Sequence, residues 1–226
     1  MNKMLMTLGC LLLAACSEPE APESRDGASA VPAEPVPEPR LPLPEREAPF
    51  KVRVYDCEGE RVVLELRDGG GWLFAPGLSL EMQAEPAASG VRMSGEGGVF
   101  FWSKGQEARL ETPTGRRHCR EQVAEAPWEQ SKLSGMDFRA VGNEPGWVLE
   151  IQGNRLLLVT DYGNTRIEDS AEVREFGDQS LFKGQRLDVT LAPGPCVDDM
   201  SGQRFETKVT IRLAGQAMKG CGRPLH

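Results

Sequence analysis

The sequence predicts an all-β protein in which two small antiparallel β domains follow an exported N-terminal segment. Short strand-like runs recur from residue 50 to the C-terminus, and glycine-containing turns separate them. No apolar stripe of helical period appears in the first domain. The cysteines of the exported chain form an even set, which favours one disulfide in each domain. The predicted domains are residues 50–122, a compact β-barrel, and residues 128–226.

The N-terminus has the pattern of a bacterial lipoprotein signal. Lys3 supplies a positive charge, a short apolar core follows, and Leu-Ala-Ala precedes Cys16. We therefore expect residues 1–15 to be removed and Cys16 to be lipidated, the alternative being an ordinary signal peptide cut after Ala15. The apolar core is too short to span a bilayer. Ser17 after the cysteine favours the outer membrane, with the domains facing the periplasm or the cell surface.

Residues 16–49 have the composition of a disordered tether. Prolines and glutamates alternate, and there are too few apolar side chains to offset the entropy of ordering the segment. At the rise of polyproline II such a segment spans roughly 100 Å. The alternative is a proline-rich ligand for another domain.

The exported chain keeps an even number of cysteines once Cys10 has left with the signal and Cys16 carries lipid. They are Cys57, Cys119, Cys196 and Cys221. Outside the cytoplasm an even set predicts disulfides, and four cysteines allow three connectivities. The change of composition along the chain favours Cys57 with Cys119 and Cys196 with Cys221. No Cys-x-x-Cys spacing supports zinc, and we expect neither a metal nor another cofactor.

The first domain contains apolar runs at residues 51–55, 61–66, 78–82, 99–102 and 108–110. Hairpins this short would leave exposed edges, so an antiparallel barrel or a compact sandwich is the natural closure. We assign most of the dense run 99–102 to the core, the alternative being an aromatic ring that faces a partner.

The second domain follows a break near residues 121–131, where no apolar period is sustained. Its strand-like runs are residues 138–141, 147–151, 155–159, 187–191 and 208–213. A turn at 142–147 and a loop at 196–202, held by a disulfide to 220–222, complete the pattern. These features resemble an uncharacterised family of bacterial lipoprotein or membrane-associated domains. The resemblance does not indicate what the second domain does.

Several elements of residues 52–120 occur in a characteristic order. They are Tyr55-x-Cys57, Ser89-Gly90, the run Phe-Trp-Ser-Lys-Gly-Gln-Glu-Ala-Arg-Leu at 101–110, and the closing Cys119. This order resembles the MliC/PliC family, bacterial lipoproteins or periplasmic proteins that inhibit c-type lysozyme. The chain departs from the family pattern at Met93, where the family has tyrosine, and this change predicts a looser loop or an altered contact with the target.

The resemblance implies a role for two loops in plugging the glycosidase cleft. Lys104 would place its ammonium beside an ionised carboxylate of lysozyme, and Ser89 would hydrogen-bond to the catalytic carboxyl groups. Gly90 and Gly105 would let the loops turn sharply. Each dipeptide alone is also a common turn, and Lys183-Gly184-Gln185 repeats the tripeptide that begins at Lys104.

Charge and motif content narrow the classes of function. A formal net charge of −8 argues against a nucleic-acid surface and suits a basic partner such as c-type lysozyme. The alternative is that the acidity serves ordinary solubility, since much of the negative charge lies in the tether. The chain lacks the sequence motifs of hydrolases and nucleotide-binding enzymes, and histidine is scarce, so we expect no enzymatic activity.

Two alternatives stay open. One is an enzyme whose catalytic groups are a carboxylate pair formed by Glu144 with Asp198 or Asp199. Otherwise we expect the two aspartates to face water in a turn, or to hold a cation. The other is a structural or envelope-sensing lipoprotein that binds cell-wall or membrane partners.

Overall fold

The computed structural model describes residues 49–226, apart from the side chain of Tyr162. The predicted signal peptide, the lipidated Cys16 and the tether up to residue 48 lie outside the described residues. Within them the chain forms two antiparallel sheets, which confirms the predicted all-β class. The boundaries at 122 and 128 stay a prediction. In the part of the chain described, no helix is long and apolar enough to cross a bilayer.

The first sheet is a closed barrel of eight strands, each antiparallel to the next. They are β1 (Lys51–Cys57), β2 (Glu60–Arg67), β3 (Gly70–Ala75), β4 (Leu78–Glu85), β5 (Val91–Gly95), β6 (Val99–Lys104), β7 (Glu107–Thr112) and β8 (Gly115–Glu121). A 3-10 turn, Glu96–Gly98, joins β5 to β6. Strand β8 pairs with β1, and this pairing closes the predicted barrel.

Side chains alternate between the barrel interior and its outer surface, as strand geometry requires. In β6 the buried residues are Val99, Phe101 and Ser103, and the exposed ones are Phe100, Trp102 and Lys104. Phe101 meets Tyr55 edge to face in the core, with ring centroids 5.0 Å apart. Assigning most of the run 99–102 to the core is therefore wrong for Phe100 and Trp102, which point outward.

A disulfide reinforces the pairing of β1 with β8, which closes the barrel and is called its seam here. Cys57 at the end of β1 is bonded to Cys119 in β8, with Cα atoms 4.0 Å apart, and both side chains are buried. The backbone pairing of these two strands adds Tyr55 with Glu121 and Asp56 with Arg120. The predicted pairing of the early cysteines is confirmed, and it lies where the barrel closes.

The segment after the barrel contains a helix where the sequence predicts only a break. A 3-10 turn, Val123–Glu125, leads into α1 (Ala126–Leu133), which has Pro127 in its first turn, a favourable position for proline. Leu133 packs against an apolar patch on the outside of the barrel, formed by Phe50, Val52, Val54, Val63 and Phe74. We call this set the helix-covered patch. Gln130 Oε1 also accepts a hydrogen bond of 3.1 Å from the Val52 backbone N–H.

The other side of α1 packs on the second sheet. Trp128 is buried, its ring lying 4.9 Å from that of Phe205 between centroids. The guanidinium groups of Arg139 and Arg223 lie 5.7 and 4.7 Å from the Trp128 ring. Glu129 accepts a hydrogen bond of 2.8 Å from Arg61 of β2. The helix thus contacts both β structures.

The second sheet has nine strands, in the spatial order β12-β11-β10-β9-β17-β16-β15-β14-β13. They are β9 (Phe138–Asn143), β10 (Gly146–Gln152), β11 (Arg155–Thr160), β12 (Thr165–Ser170), β13 (Glu172–Phe176), β14 (Gln179–Lys183), β15 (Leu187–Val197), β16 (Arg204–Leu213) and β17 (Gln216–Pro224). A 3-10 turn, Asp161–Gly163, joins β11 to β12. In chain order β9 is the first strand of this sheet and β17 is the last, and these two strands pair with each other.

This sheet is curved like a barrel. Asp169 in β12 accepts backbone hydrogen bonds from Arg186 (2.7 Å) and Leu187 (2.9 Å) at the start of β15, although the two strands lie far apart in the sheet order. The core behind them is apolar and includes Trp147, Leu149, Leu158, Leu187 and Ile211. The predicted disulfide Cys196–Cys221 joins β15 to β17, with Cα atoms 5.6 Å apart, and is confirmed.

Candidate functional site

The two predicted loops lie side by side at one end of the barrel. Ser89 and Gly90 precede β5, Lys104 is the last residue of β6, and Gly105 follows it; Val91 pairs with Ser103 across these strands. A Cβ placed on Gly90 would lie only 3.3 Å from Lys104 Cβ. All four predicted residues are exposed to solvent. The fold therefore brings together two loops that come from separate parts of the sequence.

Glycine is required at Gly90 for two reasons. Its φ of +77° is in the region that L side chains rarely adopt. A Cβ would also lie 2.0 Å from the Ser103 carbonyl oxygen, far inside contact distance. Gly105 also has a positive φ, +61°, but a Cβ there would meet nothing within 4 Å. The first loop thus needs close backbone approach, whereas the second needs only the turn conformation.

Trp102 ties the first loop to β6. Its indole Nε1 donates a hydrogen bond of 3.2 Å to the Ser89 carbonyl oxygen. The indole remains 37% exposed, so the residue both fixes the loop and presents a ring face to solvent. Trp102 is not among the predicted site residues, although an aromatic ring of the run 99–102 that faces a partner is the alternative kept open above. The alternation of β6, which places Trp102 on the same side as Lys104, is the signal that could have found it.

Lys104 has an unpaired ammonium group, and the reason lies on neighbouring strands. Glu107 is directly opposite Lys104 in the β6–β7 register. The Glu107 carboxylate, however, forms an ion pair of 3.1 Å with Arg120 of β8. Within residues 49–226, Lys104 has no carboxylate within ion-pair distance. Its charge is therefore available to a partner.

An open groove of about 570 Å³ adjoins the loops. Its floor includes the outward rings of Phe100 and Trp102, and its walls include Ser89, Arg92 and Arg109. Arg92 and Arg109 are the cross-strand neighbours of Trp102 on its two sides. The groove is therefore an aromatic floor flanked by two guanidinium groups.

Met93 lies inside the barrel. Its side chain is only 1% exposed and belongs to the core cluster, opposite Phe101 in the strand register. Met93 therefore lies in the barrel core and not on its surface, and the expected looser loop or altered contact with the target stays a prediction.

Asp198, directly after β15 of the second sheet, is a buried carboxylate. It accepts hydrogen bonds from Asn143 Nδ2 (2.6 Å) and from the backbone and hydroxyl of Ser201 (2.8 and 2.5 Å). Burial raises the pKa of Asp198, but these hydrogen bonds together lower the pKa below its usual value. The expectation that Asp198 faces water is wrong, whereas Asp199 is exposed.

The cation and carboxylate-pair alternatives gain no support from this arrangement. Both oxygens of Asp198 already accept hydrogen bonds, and the residue that reaches it is Asn143, next to Glu144. Across residues 49–226, no group of three or more His, Cys, Asp or Glu side chains is placed to hold a metal ion.

Comparison with known families addresses the barrel. Residues 45–117 match the family model described as membrane-bound lysozyme-inhibitor of c-type lysozyme, MliC. The matched stretch includes the barrel strands up to part of β8 and both predicted loops. The resemblance drawn from the sequence is confirmed for this stretch. No curated protein and no solved structure matches the chain.

Proposed function

We propose that this chain, whose residues 45–117 match the family of membrane-bound inhibitors of c-type lysozyme, inhibits c-type lysozyme by blocking its active-site cleft. Lys104 and Ser89 are the side chains that enter the cleft, and Gly90 and Gly105 shape the two loops that carry them. The role is that of an inhibitor rather than an enzyme. The observation that carries the proposal is that Lys104, whose ammonium has no carboxylate partner within residues 49–226, lies next to the Ser89-Gly90 loop at one exposed end of the barrel.

The chemistry of the target suits these groups. A retaining glycosidase of the lysozyme type places two carboxyl groups about 5 Å apart, one acting as an acid and the other as a carboxylate. An ammonium that replaces water beside the carboxylate forms a charge-assisted hydrogen bond, and this is stronger in a desolvated cleft than on a surface. The Ser89 hydroxyl can donate to one carboxyl oxygen and accept from the protonated group.

Rigid loops favour tight binding because little conformational freedom is lost on association. The Trp102 hydrogen bond and the contact of Gly90 with Ser103 hold the first loop against β6. The second loop is a tight turn between paired strands, where Ser103 lies opposite Ala108. Both side chains are thus presented from a preformed frame.

We further propose attachment to the outer membrane through lipid on Cys16, with the barrel facing the periplasm or the cell surface. The family description, membrane-bound, is consistent with membrane association. The test is metabolic labelling with palmitate, comparing the full-length chain with its Cys16→Ala variant. Equal labelling of the two would contradict lipidation at this residue.

The inhibitory function is tested by titrating the full-length chain into a lysozyme assay on cell-wall substrate. We expect the wild type to inhibit, and Lys104→Ala and Ser89→Ala each to lose potency by about tenfold or more, equivalent to about 1.4 kcal/mol. Lys183→Ala is the matched control, since Lys183 begins the same Lys-Gly-Gln tripeptide but is paired with Asp188 at 2.5 Å. Unchanged lysozyme activity at high molar excess of the wild type would refute the proposal.

A further inference from the structure

We propose that Arg109 and Trp102 form a second contact site for lysozyme. Arg109 binds a carboxylate at the rim of the lysozyme cleft, and the aliphatic part of that acidic side chain packs on the indole ring of Trp102. This inference rests on the proposed function. It assigns a role to the groove beside the Ser89 loop, which sequence analysis leaves without one.

Arg109 has a largely available positive charge for the same reason as Lys104. The nearest carboxylate to Arg109 is that of Glu111, at 3.9 Å, the outer limit of an ion pair. Glu111 is engaged more closely by Arg116 of β8, at 2.8 Å. The two outward acids of β7, Glu107 and Glu111, are therefore both taken by arginines of β8.

The consequence is a local excess of positive charge on a chain whose formal net charge is −8. Lys104 and Arg109 lie on the outer face of the adjacent strands β6 and β7, with Arg109 opposite Trp102 and Lys104 two residues further along β6. Surface charges that have no close partner of opposite sign within the protein are complementary to the opposite charge on a binding partner. The chemistry that this face recognises is thus a carboxylate, or two carboxylates a few ångströms apart.

Trp102 supplies the apolar part of the contact. Tryptophan and arginine are the residue types that most often dominate the energy of protein interfaces. The indole is 37% exposed, and Phe100 beside it in the groove is equally exposed. Burying these rings against an aliphatic side chain stabilises a complex and removes water from the neighbouring ion pair.

The arrangement favours a protein over a glycan as the occupant. The second guanidinium of the groove, Arg92, is paired with Glu85 at 2.8 Å, so few free hydrogen-bonding groups converge on the rings. A small-molecule site needs polar groups placed so that they fix the orientation of the ligand. The groove is also continuous with the loop proposed to enter the cleft, through the hydrogen bond from Trp102 to Ser89.

The test measures binding of the full-length chain to purified c-type lysozyme. Arg109→Gln and Trp102→Ala are each expected to weaken the dissociation constant by at least fivefold, mainly through faster dissociation, and Arg109→Lys to recover part of the loss. Two matched controls should bind like the wild type. Arg174→Gln removes an exposed arginine from the second sheet, and Trp72→Ala removes a barrel tryptophan of similar exposure, 39%.

The possible outcomes separate the two proposals. If Lys104→Ala weakens binding while Arg109→Gln and Trp102→Ala, with melting temperatures like the wild type, do not, the second contact site is refuted and the proposed function stands. If the wild type does not bind lysozyme, both proposals fail. If the wild type does not bind lysozyme but binds soluble peptidoglycan fragments, and Arg109→Gln abolishes that binding, the groove is a glycan site. This result would overturn the proposed protein occupant.

Discussion

Gly90 lies directly against the carbonyl oxygen of Ser103, which a Cβ at Gly90 would approach to 2.0 Å. The contact joins the loop before β5 to the strand that ends at Lys104. Together with the hydrogen bond from Trp102 to Ser89, it fixes the distance between the two proposed binding loops. The spacing of Ser89 and Lys104 is therefore a property of the backbone and not only of their side chains.

We predict that Gly90→Ala lowers lysozyme inhibition by at least tenfold, although it removes no side chain from the site. The new Cβ forces the loop away from β6, and a positive φ costs a non-glycine residue about 1–2 kcal/mol. The measurement is the inhibition constant together with the melting temperature of the full-length chain.

Gly105→Ala is the control for this prediction. It has the same kind of backbone conformation, φ +61°, but its Cβ would meet nothing within 4 Å. We expect only the conformational cost and a smaller loss of inhibition. Equal losses for the two variants would show that close approach at Gly90 plays no special part.

The seam disulfide should stabilise the barrel more than its counterpart stabilises the second sheet. Cys57–Cys119 spans 62 residues of sequence and Cys196–Cys221 spans 25. The chain-entropy relation then gives about 4 kcal/mol for the first and about 3.5 kcal/mol for the second. The first also supports the β1–β8 pairing that closes the barrel.

The measurement is denaturant unfolding of two double variants, Cys57→Ala with Cys119→Ala and Cys196→Ala with Cys221→Ala. The first is expected to lose more stability and, in addition, most of its lysozyme inhibition. A larger loss in the second variant would contradict the importance given to the seam.

Much of the fold is predictable because apolar strands dominate both sheets; every predicted run lies within a strand. The strands that sequence analysis misses are rich in glycine or charge, and β3 shows the reason. Gly70 and Gly71 have the composition of a turn. A Cβ at Gly71 would lie 1.8 Å from the Glu65 carbonyl oxygen, so the glycine serves close strand packing instead.

The candidate site is predictable only in part. The resemblance to a known family gives roles to Ser89 and Lys104. Arg109 lies within the run 101–110 that carries the resemblance, but no role for it follows. The charge of Arg109 is available to a partner because Glu111 lies closer to Arg116 than to Arg109. This relation between β7 and β8 is seen only once the register of the two strands is known. The helix α1 escapes prediction similarly, because its apolar residues face two different surfaces and form no single stripe.

Helix α1 should stabilise the barrel. We predict that Leu133→Ala lowers the free energy of unfolding by about 1–2 kcal/mol, because Leu133 is partly buried against the helix-covered patch. Val123→Ala, in the same connecting segment, removes an apolar side chain that is 56% exposed and should change stability by less than about 0.5 kcal/mol. Denaturant unfolding of the full-length variants measures both.

The same contact predicts the behaviour of a barrel cut from the rest of the chain. A fragment of residues 50–122 keeps all eight barrel strands but exposes the helix-covered patch and loses the Gln130 acceptor for the Val52 backbone. We expect it to bind a hydrophobic dye and to melt at a lower temperature than the full-length chain. A fragment as stable as the full-length barrel would show that α1 is only a connector.

Because of Asp198, the stability of the second sheet should depend on pH in the acidic range. Because hydrogen bonds hold the pKa of the folded carboxyl below its ordinary value of 3.8, the ionised group stabilises the fold above that value. This stabilisation is fully present above about pH 5 and declines as the pH falls through 3.8 toward the lower folded pKa.

We predict that Asp198→Asn lowers the free energy of unfolding by about 1–3 kcal/mol at pH 7, since an amide cannot accept from Ser201 and Asn143 at both of its ends. The difference from the wild type should stay constant down to about pH 5 and shrink below about pH 4. Urea unfolding at pH 7, 5 and 3 measures it. Asp199→Asn, at the exposed neighbouring aspartate, is the control and should match the wild type throughout; a wild-type advantage over Asp198→Asn that grows on acidification would contradict the assignment.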